Sequence, residues 1–318
     1  MRVVIYGVGK EYEKQKVFLE KEYEIVAVTD RNPEVLEKFD NSVMLSKLNT
    51  VDYDSIYITS SKYYEEIRKN LVENIGISEN KIISPFDVWW HISNSDTRDR
   101  WIKEQLQSFN EGKSILDAGA GNCRYKKYCS HLIYSSQDFG EYDDSSREAG
   151  INSVDKWESK KCDIICDIAE IPVEDGNFDY VMCTEVLEHV KDPVVVVKEL
   201  SRVLKIGGEL LLTAPFCSLT HMAPFYFSNG FSKYWYKEWL TNVGLEIIEI
   251  KPYGNYFSYL AQELQRIPEI SQKTGVSLSE EECDRIYEMT KTLVRQSREE
   301  KEFDEILCFG YLVRAKKK

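Results

Sequence analysis

Two stretches of this chain run from an apolar strand directly into a glycine turn, and this pattern constrains the fold more than any other feature. The first is Arg2–Tyr6, which is followed by the turn Gly7–Gly9. The second is Ser114–Leu116, which is followed by the turn Asp117–Gly121. A strand, a glycine turn and a helix in this order are typical of an α/β sheet that presents a ligand site at the carboxyl ends of its strands. The sequence therefore predicts two α/β units.

A chain of 318 residues is long enough for about two domains. We predict a small Rossmann-like α/β domain over residues 1–92 and a larger domain over residues 96–318, which carries a polar helical insertion over residues 256–304. The stretch Ser93–Asp96 has the composition of a hinge and a helix cap. In the small domain we also predict a short strand near Val43–Leu45. The strands that we predict for the larger domain are Ser114–Leu116, Leu132–Gln137, Asp163–Cys166, Phe178–Cys183, Gly208–Thr213, Leu245–Lys251 and Ile306–Ala315.

Charge and hydropathy narrow the range of partners. The chain has 41 Lys and Arg against 54 Asp and Glu, a net charge of −13 that repels a phosphate backbone, so we expect no nucleic-acid partner. No apolar run approaches the roughly 18 residues that a membrane span needs, and the N-terminus lacks the long apolar stretch of a signal peptide. We therefore expect a cytoplasmic protein without a membrane span. The eight cysteines show no zinc-type spacing, so we expect no metal.

Three acidic residues follow successive strands of the larger domain. Asp117 stands one residue before a Gly-x-Gly turn, in which Arg124 replaces the third glycine of a dinucleotide fingerprint. A carboxylate there would repel a pyrophosphate, but it suits a ligand that carries an ammonium group. Asp138 ends the next strand, where an ionised acid can accept hydrogen bonds from both hydroxyls of a ribose. Asp167 precedes Ile168, and such a pair can bond an adenine amino group and cover its ring.

Together with the run Glu185–His189 and the pair Gly207–Gly208, these motifs resemble the class I S-adenosylmethionine-dependent methyltransferases, in particular the type 11 methyltransferase domain. The resemblance covers residues 114–215 with specific motifs and residues 98–317 more loosely. It implies a Rossmann-like sheet with a reversed last strand, S-adenosyl-L-methionine as cofactor and S-adenosyl-L-homocysteine as product. The residues that it implies for cofactor binding are Asp117, Gly119, Gly121, Asp138, Asp167, Ile168, Cys183 and Thr184. Taken alone, the two glycines also fit a tight turn, Asp138 also fits a surface strand end, and Asp167 also fits a helix cap.

Two histidines are candidate catalytic residues in such an enzyme. His221 lies on the loop after the fifth strand, where the resemblance places the entry of the acceptor, and it can act as a base or fix this aromatic loop. His189 lies in the run after the fourth strand and can be a base, a cap or a packing residue. A hydroxyl nucleophile must lose its proton, and a positioned base accelerates such a step by about 10²–10⁴-fold.

Aromatic residues near His221 are candidates for binding the acceptor. They are Tyr226, Tyr234 and Trp235. Aromatic surfaces beside a cleft stack on sugar rings or planar groups, although a packed lid has the same composition. The pattern resembles methyltransferases of bacterial surface-polysaccharide clusters. That resemblance implies a small-molecule or glycan acceptor, and it implies O-methylation of a sugar or surface-glycan intermediate during polysaccharide biosynthesis.

The small domain offers a weaker signal. Gly7–Gly9, with Asp30 at the next strand end, resembles the small Rossmann-like domains attached to sugar-modifying enzymes, which bind nucleotide-linked sugars. Tyr12 replaces the third glycine, and a docking or oligomerisation domain without a ligand fits equally well, so a homodimer is compatible with the sequence. Two alternative functions stay open. One is a cofactor-binding regulatory or docking module without catalysis, and the other is a sugar-nucleotide-modifying enzyme centred on this domain.

Overall fold

The computed structural model of the chain describes residues 1–92, 94–142, 151, 161–300 and 306–318. Ser93 of the predicted hinge and residues 301–304 of the predicted insertion lie outside the described residues. The chain divides into two compact units. Unit 1 comprises Met1–Ile92 and Phe257–Lys301, and unit 2 comprises Ser93–Tyr256 and Glu302–Lys318. Among the described residues, no helix has the length and apolar character needed to cross a membrane.

The described part of the chain alternates strands and helices, as the two glycine turns predict. In chain order the strands are β1 (Arg2–Tyr6), β2 (Glu24–Thr29), β3 (Ser55–Ile58), β4 (Ile82–Ile83), β5 (Ser114–Ala118), β6 (Ile133–Asp138), β7 (Ile164–Ile165), β8 (Phe178–Thr184), β9 (Leu204–Pro215), β10 (Leu245–Tyr253) and β11 (Gly310–Lys317). The α-helices are α1 (Lys10–Glu22), α2 (Pro33–Leu36), α3 (Tyr64–Glu73), α4 (Asn94–Ser108), α5 (Pro193–Val203), α6 (Lys233–Asn242), α7 (Tyr256–Thr274) and α8 (Glu280–Glu299).

Unit 1 is built on a parallel sheet with the strand order β2-β1-β3-β4. The glycine turn after β1 is in contact with side chains at the ends of neighbouring strands. A Cβ on Gly7 would lie 2.6 Å from Thr59 Oγ1, and the Val8 N–H donates to Asp30 Oδ2 at 3.0 Å. The strand predicted near Val43–Leu45 is absent from the described structure, where a single bridge from Val28 to Ser42 is followed by a 3₁₀ helix that begins at Leu45.

The helical insertion packs within unit 1, although it lies between two strands of the larger predicted domain. Ala261 of α7 and Val294 of α8 form an apolar cluster against which Trp89 packs. Tyr287 of α8 lies 6.0 Å from Phe18 of α1, measured between ring centroids, and its hydroxyl donates to Glu22 Oε1. The two amphipathic helices bury their apolar faces within unit 1, because removing apolar surface from water stabilises the fold.

Unit 2 holds a seven-stranded sheet with the order β10-β11-β9-β8-β5-β6-β7 among the described residues. Strands β5 to β9 pair in parallel, whereas β11 is antiparallel to both β9 and β10. The predicted Rossmann-like sheet with a reversed last strand is therefore confirmed. Helix α5 begins at Pro193, where the Asp192 side chain caps it by accepting the Val194 N–H at 3.0 Å. The carboxyl ends of β5, β6 and β8 meet at one edge, and this edge carries the candidate site.

Candidate functional site

The glycine turn after β5 has a backbone that only glycine adopts without strain. Gly119 has φ of +73°, and a Cβ there would lie 2.4 Å from Val186 Cγ2. Its N–H donates to the Gln137 carbonyl at 2.9 Å, which ties the turn to the end of β6. Gly121 is also left-handed, with φ of +51°. The turn therefore packs directly on the segment after β8, and its two glycines expose backbone without a Cβ.

Asp117 is a buried carboxylate at the carboxyl end of β5. It is 2% exposed, and Oδ2 accepts a hydrogen bond from the Tyr134 hydroxyl at 2.7 Å. Burial raises the pKa of Asp117 to about 7, the Tyr134 hydrogen bond opposes this, and the charge of Asp138 adds to it. The site therefore holds a carboxyl group that lacks a compensating cation among the described residues, and a cationic ligand would stabilise its ionised form.

Asp138 ends β6 and is 3% exposed. Its Oδ2 accepts the Gly121 N–H at 3.0 Å, and its Oδ1 accepts the Gly140 N–H at 3.0 Å. Each carboxylate oxygen has two lone pairs, so one acceptor position remains on each oxygen. The two backbone bonds fix the orientation of the carboxylate, and the remaining positions suit the two hydroxyls of a ribose.

The next predicted residues divide between surface and core. Asp167 is exposed, and its Oδ1 accepts the Ala169 N–H at 2.9 Å, so its carboxylate is accessible to a ligand. The neighbouring Ile168 is buried in the hydrophobic core of unit 2. Cys183 of β8 is fully buried in the same core, and burial raises the pKa of its thiol well above the ordinary value. Thr184, half-buried, stands opposite Thr213 of β9 at the strand end.

An ion pair between a buried arginine and a half-buried glutamate, which the sequence analysis missed, organises the segment after β8. Arg98 of α4 is 8% exposed, and its Nη1 lies 2.7 Å from Glu185 Oε2. The other oxygen, Glu185 Oε1, accepts the Thr213 hydroxyl at 3.0 Å. Glu185 has a left-handed φ of +56°, and these two partners hold it there. One feature of the sequence could have indicated this pair: Arg98 lies on the same face of α4 as the buried Trp101 and Ile102, where an apolar residue is expected.

Glu188 is the second acid of this segment, and it lies at the centre of a small polar cluster. It is 1% exposed, and its Oε2 has no hydrogen-bond partner among the described residues. Burial and the charge of Glu185 raise its pKa well above the ordinary value. Its Oε1 lies 3.7 Å from His189 Nε2 and 3.9 Å from His221 Nε2. The structure thus brings both candidate catalytic histidines to one carboxylate.

Both imidazole rings are oriented by backbone carbonyls. His189 Nδ1 lies 2.6 Å from the Phe225 carbonyl oxygen, and His221 Nδ1 lies 2.8 Å from the Leu219 carbonyl oxygen. A carbonyl oxygen only accepts, so Nδ1 carries the proton in each ring, and Nε2 of the neutral ring holds a lone pair. Burial and the neighbouring His221 lower the pKa of His189 to about 4, so this ring is neutral at pH 7.

The aromatic candidates are placed in three different settings. The Tyr226 ring lies 5.2 Å from the His221 ring between centroids, and its hydroxyl donates to the Ser218 carbonyl at 2.6 Å. Trp235 packs against the hydrophobic core, with its ring 4.7 Å from that of Phe231. Tyr234 is exposed on α6. Among the three, the described contacts join Tyr226 to the histidines.

Two family models match this chain. Residues 1–83 match the C2185-like N-terminal family, and residues 116–212 match the methyltransferase domain family. The second match begins inside β5 and ends inside β9. It therefore spans the glycine turn, the three acids and the segment that carries Glu185 and Glu188.

Relatives of known function match parts of the chain. A demethylmenaquinone methyltransferase of Bacillus mycoides is 27% identical over 136 residues, which are 41% of this chain and 57% of that protein. A ubiquinone biosynthesis O-methyltransferase of Bordetella bronchiseptica is 32% identical over 114 residues, which are 34% of this chain and 44% of that protein. In both cases the matched region is shorter than two thirds of the relative.

Solved structures also resemble the chain. A SAM-dependent methyltransferase from Archaeoglobus fulgidus covers 71% of this chain and 95% of its own, with 17% identity and a TM-score of 0.42. The Haemonchus contortus phosphoethanolamine N-methyltransferase 2, in complex with S-adenosyl-L-methionine, covers all of this chain and 94% of its own, with 13% identity and a TM-score of 0.41.

Proposed function

We propose that this chain, whose residues 116–212 form a class I S-adenosylmethionine-dependent methyltransferase domain, transfers a methyl group to an oxygen atom of a small-molecule or glycan acceptor. One observation supports the proposal most: the glycine turn after β5 and the segment that carries the histidine cluster lie at the same edge of the sheet. The turn at Gly119 packs on Val186, within the same short segment that carries Glu188 and His189. This packing supports a cofactor held by the turn within reach of two imidazoles that can activate a hydroxyl.

The described residues fit the cofactor by their chemistry. S-adenosyl-L-methionine, when bound, supplies an electrophilic methyl group on a positively charged sulfur. Asp117 would hold the methionine amino group, since its buried carboxylate has no cationic partner in the part of the chain that the structure describes. Asp138 accepts the ribose hydroxyls, and Asp167 accepts the adenine amino group. Gly119 and Gly121 let the backbone approach the ligand without a Cβ in the way.

The buried side chains of Ile168 and Cys183 contribute apolar surface to the proposed cofactor site. Both belong to the hydrophobic core beneath the strand ends, so we assign them the apolar floor of the cofactor site. Thr184, at the end of β8, then lines the side of the site nearest the transferred methyl group. An apolar floor excludes water and strengthens the polar contacts that hold the ligand.

The histidines activate the acceptor. His189 and His221 both donate from Nδ1 to a carbonyl, so Nε2 is the nitrogen of each neutral ring that accepts the proton of an acceptor hydroxyl. Their ring centroids lie 4.7 Å apart, so one acceptor group can reach both. Loss of that proton makes the oxygen a stronger nucleophile, and a fixed orientation toward the methyl group lowers the barrier further.

Two acceptor classes are proposed for the test. The ring of Tyr226 beside the histidines suits stacking on a sugar, and we propose a sugar or surface-glycan intermediate of polysaccharide biosynthesis, methylated in the cytoplasm. In this role Tyr234 and Trp235 of α6 add further aromatic surface. The second class is a quinone-type aromatic ring, which the names of the relatives from ubiquinone and menaquinone biosynthesis favour.

The experiment measures formation of S-adenosyl-L-homocysteine with panels of sugar-nucleotides, glycan intermediates and hydroxylated quinone precursors. Wild-type protein should turn over one class, and His221→Ala should lower this turnover by at least about tenfold while S-adenosyl-L-homocysteine binds with unchanged affinity. His91→Ala, in unit 1, is the matched control and should retain wild-type turnover. Wild-type turnover in both His221→Ala and His189→Ala would contradict the assigned role of the histidines.

A further inference from the structure

We propose that Glu188, His189 and His221 bind one divalent transition-metal ion. One ligand atom from each of these residues lies within 4.8 Å of the other two. The site goes beyond methyl transfer as such, and its part in catalysis rests on the proposed function. Sequence spacing predicted no metal, because the ligands are brought together by a loop that returns from β9 to the segment after β8.

The distances are close to those of three ligands on one ion. Metal–nitrogen and metal–carboxylate distances of about 2.0–2.2 Å place two ligands of a tetrahedral ion roughly 3.4 Å apart. Glu188 Oε1 lies 3.7 Å from His189 Nε2 and 3.9 Å from His221 Nε2. Small side-chain rotations therefore close the set around an ion.

The surroundings of the histidines match those of metal ligands. A metal-binding histidine donates its other N–H to a carbonyl or carboxylate, and this second bond fixes both tautomer and orientation. His189 and His221 both do so, at 2.6 and 2.8 Å. The main chain of Glu188 also accepts the Phe227 N–H at 2.9 Å, so the loop that carries His221 is tied to the segment that carries the other two ligands.

The carboxylate of Glu188 gives an independent indication that this cluster binds a metal ion. This carboxylate is 1% exposed, and Oε2 has no hydrogen-bond partner among the described residues. Leaving a buried polar atom without a hydrogen-bond partner destabilises a fold, so such an atom in a native structure points to an ion or a water molecule that satisfies it. The nearby cation, Arg98, forms an ion pair with Glu185 at 2.7 Å. The carboxylate of Glu185 offsets the positive charge of Arg98 and so reduces its repulsion of a metal ion.

Two nitrogens and one oxygen suit Zn²⁺, Mn²⁺, Fe²⁺ or Co²⁺ better than Mg²⁺, which prefers oxygen ligands. Three protein ligands leave a position open for the acceptor oxygen, and a bound cation lowers the pKa of that hydroxyl. The hydroxyl proton passes to water. An electron pair of the oxygen then forms the bond to the methyl carbon, while the carbon–sulfur bond breaks and its pair stays on sulfur. In metal-free protein the same Nε2 atoms are the proton acceptors.

The test uses the untagged full chain after treatment with a chelator, since a histidine tag would bind metal itself. Calorimetry with Zn²⁺ and the visible absorption of Co²⁺ should both give one ion per chain without added cofactor. His221→Ala and Glu188→Gln should each weaken binding at least tenfold, and His91→Ala should bind like wild type. Thermal denaturation of each variant verifies that it is folded, and Glu188→Gln keeps the shape of the side chain.

The outcomes separate this proposal from the methyltransferase proposal. Absence of saturable Zn²⁺ and Co²⁺ binding by wild-type protein would overturn the metal site. Equal affinity in wild type, His221→Ala and Glu188→Gln would place the ion elsewhere and would overturn it too. Binding of the metal by a protein that does not bind S-adenosyl-L-homocysteine would leave the metal site standing and would remove the proposed function.

Discussion

Replacing Asp117 by asparagine should stabilise the ligand-free protein in a pH-dependent manner. The carboxyl of Asp117 has a pKa of about 7 in the folded protein, against an ordinary value of 3.8, because it is buried. A raised pKa means that the folded state holds its proton more tightly than the unfolded state. The free energy of unfolding therefore falls as the pH rises from near 3.8 to near 7, and it is constant above that range.

The size of the effect follows from the two pKa values. The raised pKa lowers the free energy of unfolding by about 2 kcal/mol at pH 5.5, where folded Asp117 keeps a proton that the unfolded chain has lost, and by about 4 kcal/mol at pH 8, where Asp117 is ionised in both states. Asparagine lacks this cost and can still accept the Tyr134 hydroxyl. Any fixed penalty for burying its amide is the same at both values of pH. The stability of Asp117→Asn relative to wild type should thus increase by about 2 kcal/mol between pH 5.5 and pH 8.

Urea denaturation at the two values of pH measures this difference. Asp179→Asn is the matched control, since burial alone would raise the pKa of Asp179, but hydrogen bonds from Ser114 and Lys205 outweigh it and hold the pKa well below the ordinary value. The difference between this variant and wild type should therefore be constant from pH 5.5 to pH 8. A difference for Asp117→Asn that is equally constant would refute the argument that burial raises the pKa of Asp117 in the absence of a cationic partner among the described residues.

Three further predictions test the packing and the division of the chain. Gly119→Ala should cost about 1–3 kcal/mol, because its Cβ would lie 2.4 Å from Val186 Cγ2, and adding Val186→Ala should recover only the steric part and not the backbone strain. Arg98→Met should lower the free energy of unfolding by about 1–3 kcal/mol in urea denaturation, because it leaves the half-buried Glu185 carboxylate without its ion-pair partner, and the double variant with Glu185→Gln should recover much of that loss. Removal of residues 1–92 alone should give insoluble protein, because it exposes the apolar faces of α7 and α8. A protein that lacks both residues 1–92 and residues 257–305 should be soluble and should bind S-adenosyl-L-homocysteine. A short linker can replace residues 257–305, since the Phe309 N–H already donates to the Tyr253 carbonyl at 2.9 Å, and failure of this soluble protein to bind would contradict the placement of the site.

Local signals explain why much of unit 2 was predictable. The strand before Asp117, the glycines after it and the acid that ends β6 are each read within a few residues of sequence. Parallel strands of one sheet end at the same edge, so the order of these motifs along the chain predicts that they meet in space. The bounds of β8 also lie within one residue of those predicted, and Pro193 with its Asp192 cap is a local signal for the start of α5.

Contacts between distant segments were not predictable in this way. Nothing in the register of α4 says that Arg98 pairs with an acid 87 residues later, and nothing near His221 points to Glu188. The insertion likewise shows its amphipathic helices but not the surface that covers them. Such pairings depend on the path of the loops in three dimensions, and a single sequence carries no local signal for that path.

Calorimetric titration of the full chain with S-adenosyl-L-homocysteine tests the central claim most directly. Wild-type protein should bind one molecule per chain, and Asp138→Ala should weaken the affinity at least about tenfold, since it removes charge-assisted hydrogen bonds to the ribose. Asp163→Ala is the matched control, because it removes a carboxylate that also accepts a backbone N–H of β6, from Ser136 at 2.8 Å, but lies outside the proposed contacts. Absence of binding by folded wild-type protein, or equal affinity in wild type and Asp138→Ala, would contradict the assignment of the cofactor site.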